Sequence, residues 1–163
     1  MSEITNSTNL VVTRVFNASP DQVWSAWSES ELVMRWWGPL GFTCPEARMD
    51  FREGGTSLVC MRAPQAFGGQ DYYNTWSYEA IEPLQRIVYT LYFTDKGGTT
   101  ISPESLGLPS GMPQGVRHEV TFRALDQGKT ELTVTEYDWP VGPLLEMSRM
   151  GLGHCLDKMA AIC

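Results

Sequence analysis

Hydrophobic residues along this chain change period several times, and each change predicts an element. Leu10 to Phe16 (LVVTRVF) is short and rich in β-branched residues, the composition of a strand. Ser19-Pro20-Asp21-Gln22 then carries a helix start, with Ser19 as N-cap, Pro20 at the first helical position, Asp21 in the positive first turn and Gln22 completing a capping box. Val23, Trp24 and Trp27 recur at three- and four-residue spacing, which places them on one helical face running to about Trp27 or Ser28. Ser30 predicts a second cap, before a short helix that ends on Trp36 and Trp37.

From Phe42 the period falls to two. Ala47, Met49 and Phe51 alternate with Arg48, Asp50 and Arg52, the repeat of a strand with one dry face. Arg52 to Gly55 predicts a tight turn and Thr56 to Arg62 the returning strand. Tyr72 to Ile81 places Trp76, Tyr78 and Ala80 on one face, and Arg86 to Phe93 does the same with Ile87, Tyr89, Leu91 and Phe93. Two further strands, Val116 to Leu125 and Thr130 to Trp139, flank a hairpin at Asp126 to Lys129. Pro140 and Pro143 open a last helix from about Leu144 to Ile162, striped by Leu145, Leu152, Leu156 and Met159 and loosened by Gly151 and Gly153. An antiparallel sheet with its helices on one side is an α+β arrangement.

Two stretches interrupt the periodicity. Arg35-Trp36-Trp37-Gly38-Pro39 closes a helix with two adjacent indoles, held where a glycine can turn left-handed and a proline stops the helix. Trp37 is expected to seal against Pro39 and Trp36 to face inward. Asp95 to Gly115 is rich in Gly and Pro, with Leu106, Leu108 and Met112 interspersed, and its length suits a lid.

Composition narrows the partners. A chain of 163 residues is most simply one domain, 10 to 163, after a disordered or extended tail of residues 1 to 9. A formal charge of −7 argues against nucleic acid, whose binding draws on clustered Lys and Arg. No apolar run reaches the length of a membrane span, and a cytoplasmic setting is expected. Cys44, Cys60, Cys155 and Cys163 lack metal or redox spacing and read as reduced thiols. No cofactor motif is present, whether a nucleophile elbow, phosphate loop or zinc helix.

The segments RVFNASPDQVWSAWSESELVMRWWGPLGFT, MDFREGG, YEAIEPLQRIVYT, VTFRALDQGKTELTV and GLGHCLDKMAAI resemble the START-like (SRPBCC) superfamily with the helix-grip fold. Within it, they resemble the bacterial homologues of the heat-shock-protein ATPase activator. That resemblance implies a curved seven-stranded antiparallel sheet gripping a long C-terminal helix, with a cavity between them for an apolar or aromatic small molecule. Leu152 stands where many relatives carry Trp, and Trp76 where a small residue is common.

Given that architecture, strand parity nominates the ligand-facing residues: Trp36, Met61, Trp76, Tyr78, Tyr89, Leu91, His118 and Val120, answered from the helix by Met147, Met150 and His154. Most apolar inward residues are simply core. His118 and Glu136 are the polar candidates, inward on neighbouring strands, with Asp138 two residues on. A carboxylate beside an imidazole can anchor a ligand or act as acid and base, or it can be a satisfied structural pair. A metal set of His118, His154 and Cys155 lacks ligand spacing and is set aside. Three functions remain open at this point. They are a binding protein, a cofactor-independent cyclase, dehydratase or hydrolase for a polyketide-like or aromatic substrate, and an interaction module in which exposed tryptophans dock a partner or a second copy in a homodimer.

Overall fold

The structure, a computed structural model, describes residues 6 to 163. Seven strands, all antiparallel to their neighbours, form one sheet in the order β1-β7-β6-β5-β4-β3-β2. They are β1 (Ser7–Phe16), β2 (Thr43–Arg48), β3 (Thr56–Arg62), β4 (Asp71–Glu82), β5 (Arg86–Thr94), β6 (Gly115–Ala124) and β7 (Thr130–Pro140). Helices α1 (Pro20–Ser28) and α2 (Ser30–Trp36) follow β1, and α3 (Pro143–Ile162) closes the chain. The α+β helix-grip architecture is the one expected.

Differences from the sequence reading have local causes. β1 starts at Ser7 because Ser7 and Thr8 pair with Pro140 and Trp139. Polar residues carry no hydrophobic signal, but a neighbouring strand still satisfies their backbone. Residues 1 to 5 of the expected tail lie outside the described residues. The capping box at Ser19 and Gln22 is formed in both directions, at 3.3 and 3.0 Å. Ser30, in contrast, is the first helical residue rather than a cap. The single extended residue Glu29 separates the two helices and caps α2 through its backbone carbonyl, which accepts from Leu32 and Val33. Strand β2 ends at Arg48, so Met49 and Phe51 belong to the turn that follows, where both still pack on the core.

The aromatic residues of the inner sheet face divide into two groups. Towards α1, Trp24 meets Phe51 and Phe122 at 5.5 and 5.0 Å, and Phe51 meets Tyr78 at 5.2 Å. Towards α2, Trp27 packs on Trp36 at 4.7 Å and Trp37 on Trp76 at 5.2 Å. Helix α3 packs chiefly against α2, β1 and β7, crossing the sheet near one side. The middle strands beneath its N-terminal half are therefore not closed over by helix. That is where the site lies.

Candidate functional site

A pocket of about 230 Å³ lies between the sheet and α3. Its floor comes from β3 to β7 through Met61, Asn74, Tyr89, Leu91, Phe93, Val116, His118, Val134 and Glu136. Trp27, Trp36, Trp37, Gly38 and Pro39 form one wall, while Leu144, Met147, Ser148, Gly151, Leu152 and Cys155 of α3 form the roof. Met112, from the Gly/Pro-rich segment between β5 and β6, and Trp139 at the end of β7 complete it.

The wall is fixed by the helix-ending corner. Trp36 is 0% exposed, and its indole N–H donates to the Ala26 carbonyl at 2.6 Å. Trp37 is half-buried, sits edge-on to Trp36 and Trp76, and leaves its indole nitrogen without a partner in the structure. Trp36 is thus the enclosed ring and Trp37 the less constrained one, and both line the pocket. Gly38 has φ +109°, and a Cβ there would meet Phe42 Cβ at 3.1 Å, so the turn needs glycine. Helix α3 moors this corner through Lys158, whose ammonium donates to the carbonyls of Gly38, Pro39 and Phe42 at 2.8, 3.1 and 2.9 Å. Burial lowers the Lys158 pKa from its ordinary value. His154 adds a second tie, its Nδ1 accepting from the Leu40 N–H at 3.1 Å.

The polar end is built by strand register. His118 on β6 lies directly opposite Glu136 on β7 and beside Tyr89 on β5. Its ring stacks on Tyr89 at 4.7 Å, and Tyr89 stacks on Trp76 at 5.1 Å, a column of three rings. His118 Nδ1 lies 2.9 Å from the Val116 carbonyl. A carbonyl only accepts, so Nδ1 carries a hydrogen and Nε2 is left facing Glu136 Oε2 at 3.5 Å. The other carboxylate oxygen, Oε1, accepts from Trp139 Nε1 at 2.9 Å and Ser148 Oγ at 3.1 Å.

Trp139 reaches Glu136 because of a backbone irregularity. Asp138 adopts φ +61°, tolerable for Asp, and the β1–β7 register shifts between Thr8 and Leu10. The shift turns Asp138 outward and Trp139 inward, onto the same side as Glu136. Asp138 therefore does not join the polar cluster expected from simple alternation.

Burial alone would raise the Glu136 carboxyl. His118, with the hydrogen bonds from Trp139 and Ser148, outweighs it and holds the group below the usual carboxylate range. Burial, reinforced by Glu136, pushes the Tyr89 phenol well above its ordinary value, so it remains an O–H. The Cys155 thiol is pushed up to about 12 by burial and is no nucleophile at neutral pH. Among the described residues no group of three or more His, Cys, Asp or Glu side chains could hold a metal ion, and no helix is long and apolar enough to cross a membrane.

Of the residues nominated from sequence, Trp36, Met61, Tyr89, Leu91, His118, Glu136 and Met147 line the pocket. Trp76 stands behind Tyr89, and Tyr78 belongs to the group under α1, where its hydroxyl bonds Ser57 Oγ at 2.8 Å. Val120 is buried in that core, Met150 is 64% exposed, and His154 serves the corner. The helix misses are angular: Leu144, Met147, Ser148, Gly151, Leu152 and Cys155 share one arc of α3, and Met150 and His154 fall on its shoulder. Parity with Trp76 and Tyr78 could have found Asn74, whose Oδ1 accepts from Trp76 Nε1 at 3.0 Å.

Residues 17 to 163 match the family model described as Activator of Hsp90 ATPase homolog 1-like protein. The chain belongs to that family. Solved structures share the fold. A protein from Chromobacterium violaceum is 25% identical with a TM-score of 0.75, over 94% of both chains. The AHSA1 protein from Silicibacter pomeroyi is 19% identical with a TM-score of 0.70, over 94% of this chain and 96% of its own. A protein from Arthrobacter aurescens shares the fold at 18% identity and a TM-score of 0.77, over 99% and 88%. Comparison with curated proteins gave no match. The activator-homologue fold is compatible with a ligand-binding or activator-type module.

Proposed function

We propose that this chain binds a small apolar or aromatic molecule in the pocket between the sheet and α3. The observation that carries this reading is the lining itself, a continuous aromatic and aliphatic surface ending in a few convergent polar groups, the usual character of a ligand site. A volume of about 230 Å³ suits a molecule of one or two rings. The exposed Met147 gives an adaptable edge to the mouth. The test is native mass spectrometry of the purified protein, followed by fluorescence titration with naphthalene. Leu152→Trp, which places an indole in the pocket, should abolish naphthalene binding without unfolding the protein. Equal binding by that variant, or none by the wild type, rejects the reading.

The His118–Glu136 pair favours one second reading, a cofactor-independent cyclase, dehydratase or hydrolase acting on an aromatic or polyketide-like substrate, with the pair as acid and base. Dehydration of a β-hydroxyketone probe, lost in Glu136→Gln, would support it, whereas binding without turnover rejects it. Tryptophan docking of a protein partner loses its anchor at Trp36, which is wholly enclosed.

A further inference from the structure

We infer that the pocket selects neutral aromatic molecules that carry a hydroxyl group, and that the hydroxyl is seated between His118 Nε2 and Glu136 Oε2. The inference rests on the binding function proposed above and narrows its ligand class. His118 Nε2 and Glu136 Oε2 are 3.5 Å apart, too far for a strong direct hydrogen bond. Every other polar atom of the pair is already committed: Nδ1 to the Val116 carbonyl, and Oε1 to Trp139 and Ser148. The pair therefore has one free edge, with the Glu136 Oε2 carboxylate acceptor on one side and the Nε2 edge of the imidazole on the other.

A hydroxyl is the small group that can serve both, because it donates to Oε2 and, as donor and acceptor in one, can meet Nε2 in either of its roles. A carbonyl or ether oxygen has no hydrogen to give and leaves Oε2 facing a lone pair. An ammonium can donate to Oε2 but has no lone pair to offer Nε2, and its charge would be buried against an otherwise apolar lining. A ligand carboxylate fares worse, because Glu136 is itself held ionised and, among the described residues lining the pocket, none is Lys or Arg. The rest of the lining selects the body of the ligand. Tyr89, stacked on His118, continues the polar edge directly into an aromatic surface, and Leu91, Val116 and Val134 flank it. A ring whose hydroxyl reached the pair would lie along that surface.

Calorimetric titration with three probes of one shape tests the inference: 2-naphthol, 2-methylnaphthalene and 2-naphthoate. The expected result is that 2-naphthol binds roughly ten- to a hundredfold more tightly than 2-methylnaphthalene, the effect of one hydrogen bond to a charged group, while 2-naphthoate binds most weakly. In Glu136→Gln the preference for 2-naphthol over 2-methylnaphthalene should shrink to a fewfold. Equal binding of 2-naphthol and 2-methylnaphthalene by the wild type overturns the hydroxyl seat and leaves the pocket a general apolar binder. Binding of none of the three overturns the binding function as well. The wild-type ratio decides the matter even if the variant fails to fold.

Discussion

The inner face of the sheet carries aromatic residues from end to end, yet its two halves behave differently. Under α1, Trp24, Phe51, Tyr78 and Phe122 interlock, and the one phenol among them is satisfied by Ser57. Under the N-terminal half of α3, Trp37, Tyr89 and His118 are equally aromatic, but the helix stands off and a void of about 230 Å³ remains. Residue type does not separate a core from a ligand site here. What separates them is whether a covering helix lies directly on the sheet or is held away from it, by β7 and β1 on one side and the moored corner on the other.

A matched pair of leucines tests that contrast with the largest expected effect. Leu132, fully buried beside Phe122, should cost about 3–5 kcal/mol on truncation to Ala, because a tightly packed site cannot collapse around the hole. Leu91, on the pocket floor, should cost about 2 kcal/mol, since it already borders open space. Denaturant unfolding of the two variants reads both values, and equal losses would mean that the pocket is packed as tightly as the core.

Strand parity makes much of this legible in the sequence. The alternation of Ile87, Tyr89, Leu91 and Phe93, and the facing of His118 and Glu136, follow from period and hairpin length, and the structure pairs those two residues directly. The bulge that delivers Trp139 to Glu136 was not legible, because Asp138 takes a left-handed conformation without the glycine that usually announces it. Nor was the standing of Trp76 behind Tyr89, or the rotation of α3 that turns Ser148 inward and Met150 outward. Those depend on where a helix crosses a sheet, and no local pattern encodes that position.

Glu136 sharpens the comparison at intermediate scale. Its folded carboxyl lies below its unfolded value, so its contribution is present above the ordinary carboxylate pKa and is lost as pH falls through the lowered one. Stability of the wild type should therefore decline across the acid range below that ordinary value, and Glu136→Gln should flatten the decline while costing about 2 kcal/mol at neutral pH. Thermal unfolding between neutral and acid pH checks this, and parallel curves would show that the carboxylate is not held ionised. The smallest effect belongs to the closed half. Tyr78→Phe strands Ser57 without its phenol partner, and about 1 kcal/mol should be lost with naphthalene affinity unchanged. A change in affinity would show that the two halves communicate.

The Lys158 ammonium fastens the pocket wall through three backbone carbonyls and no side chain. A clasp on the main chain is blind to what the clasped residues carry. Pro39, which also lines the pocket, can thus be exchanged without removing the carbonyl that Lys158 holds, reshaping the wall while the hinge pin that sets its position stays in place.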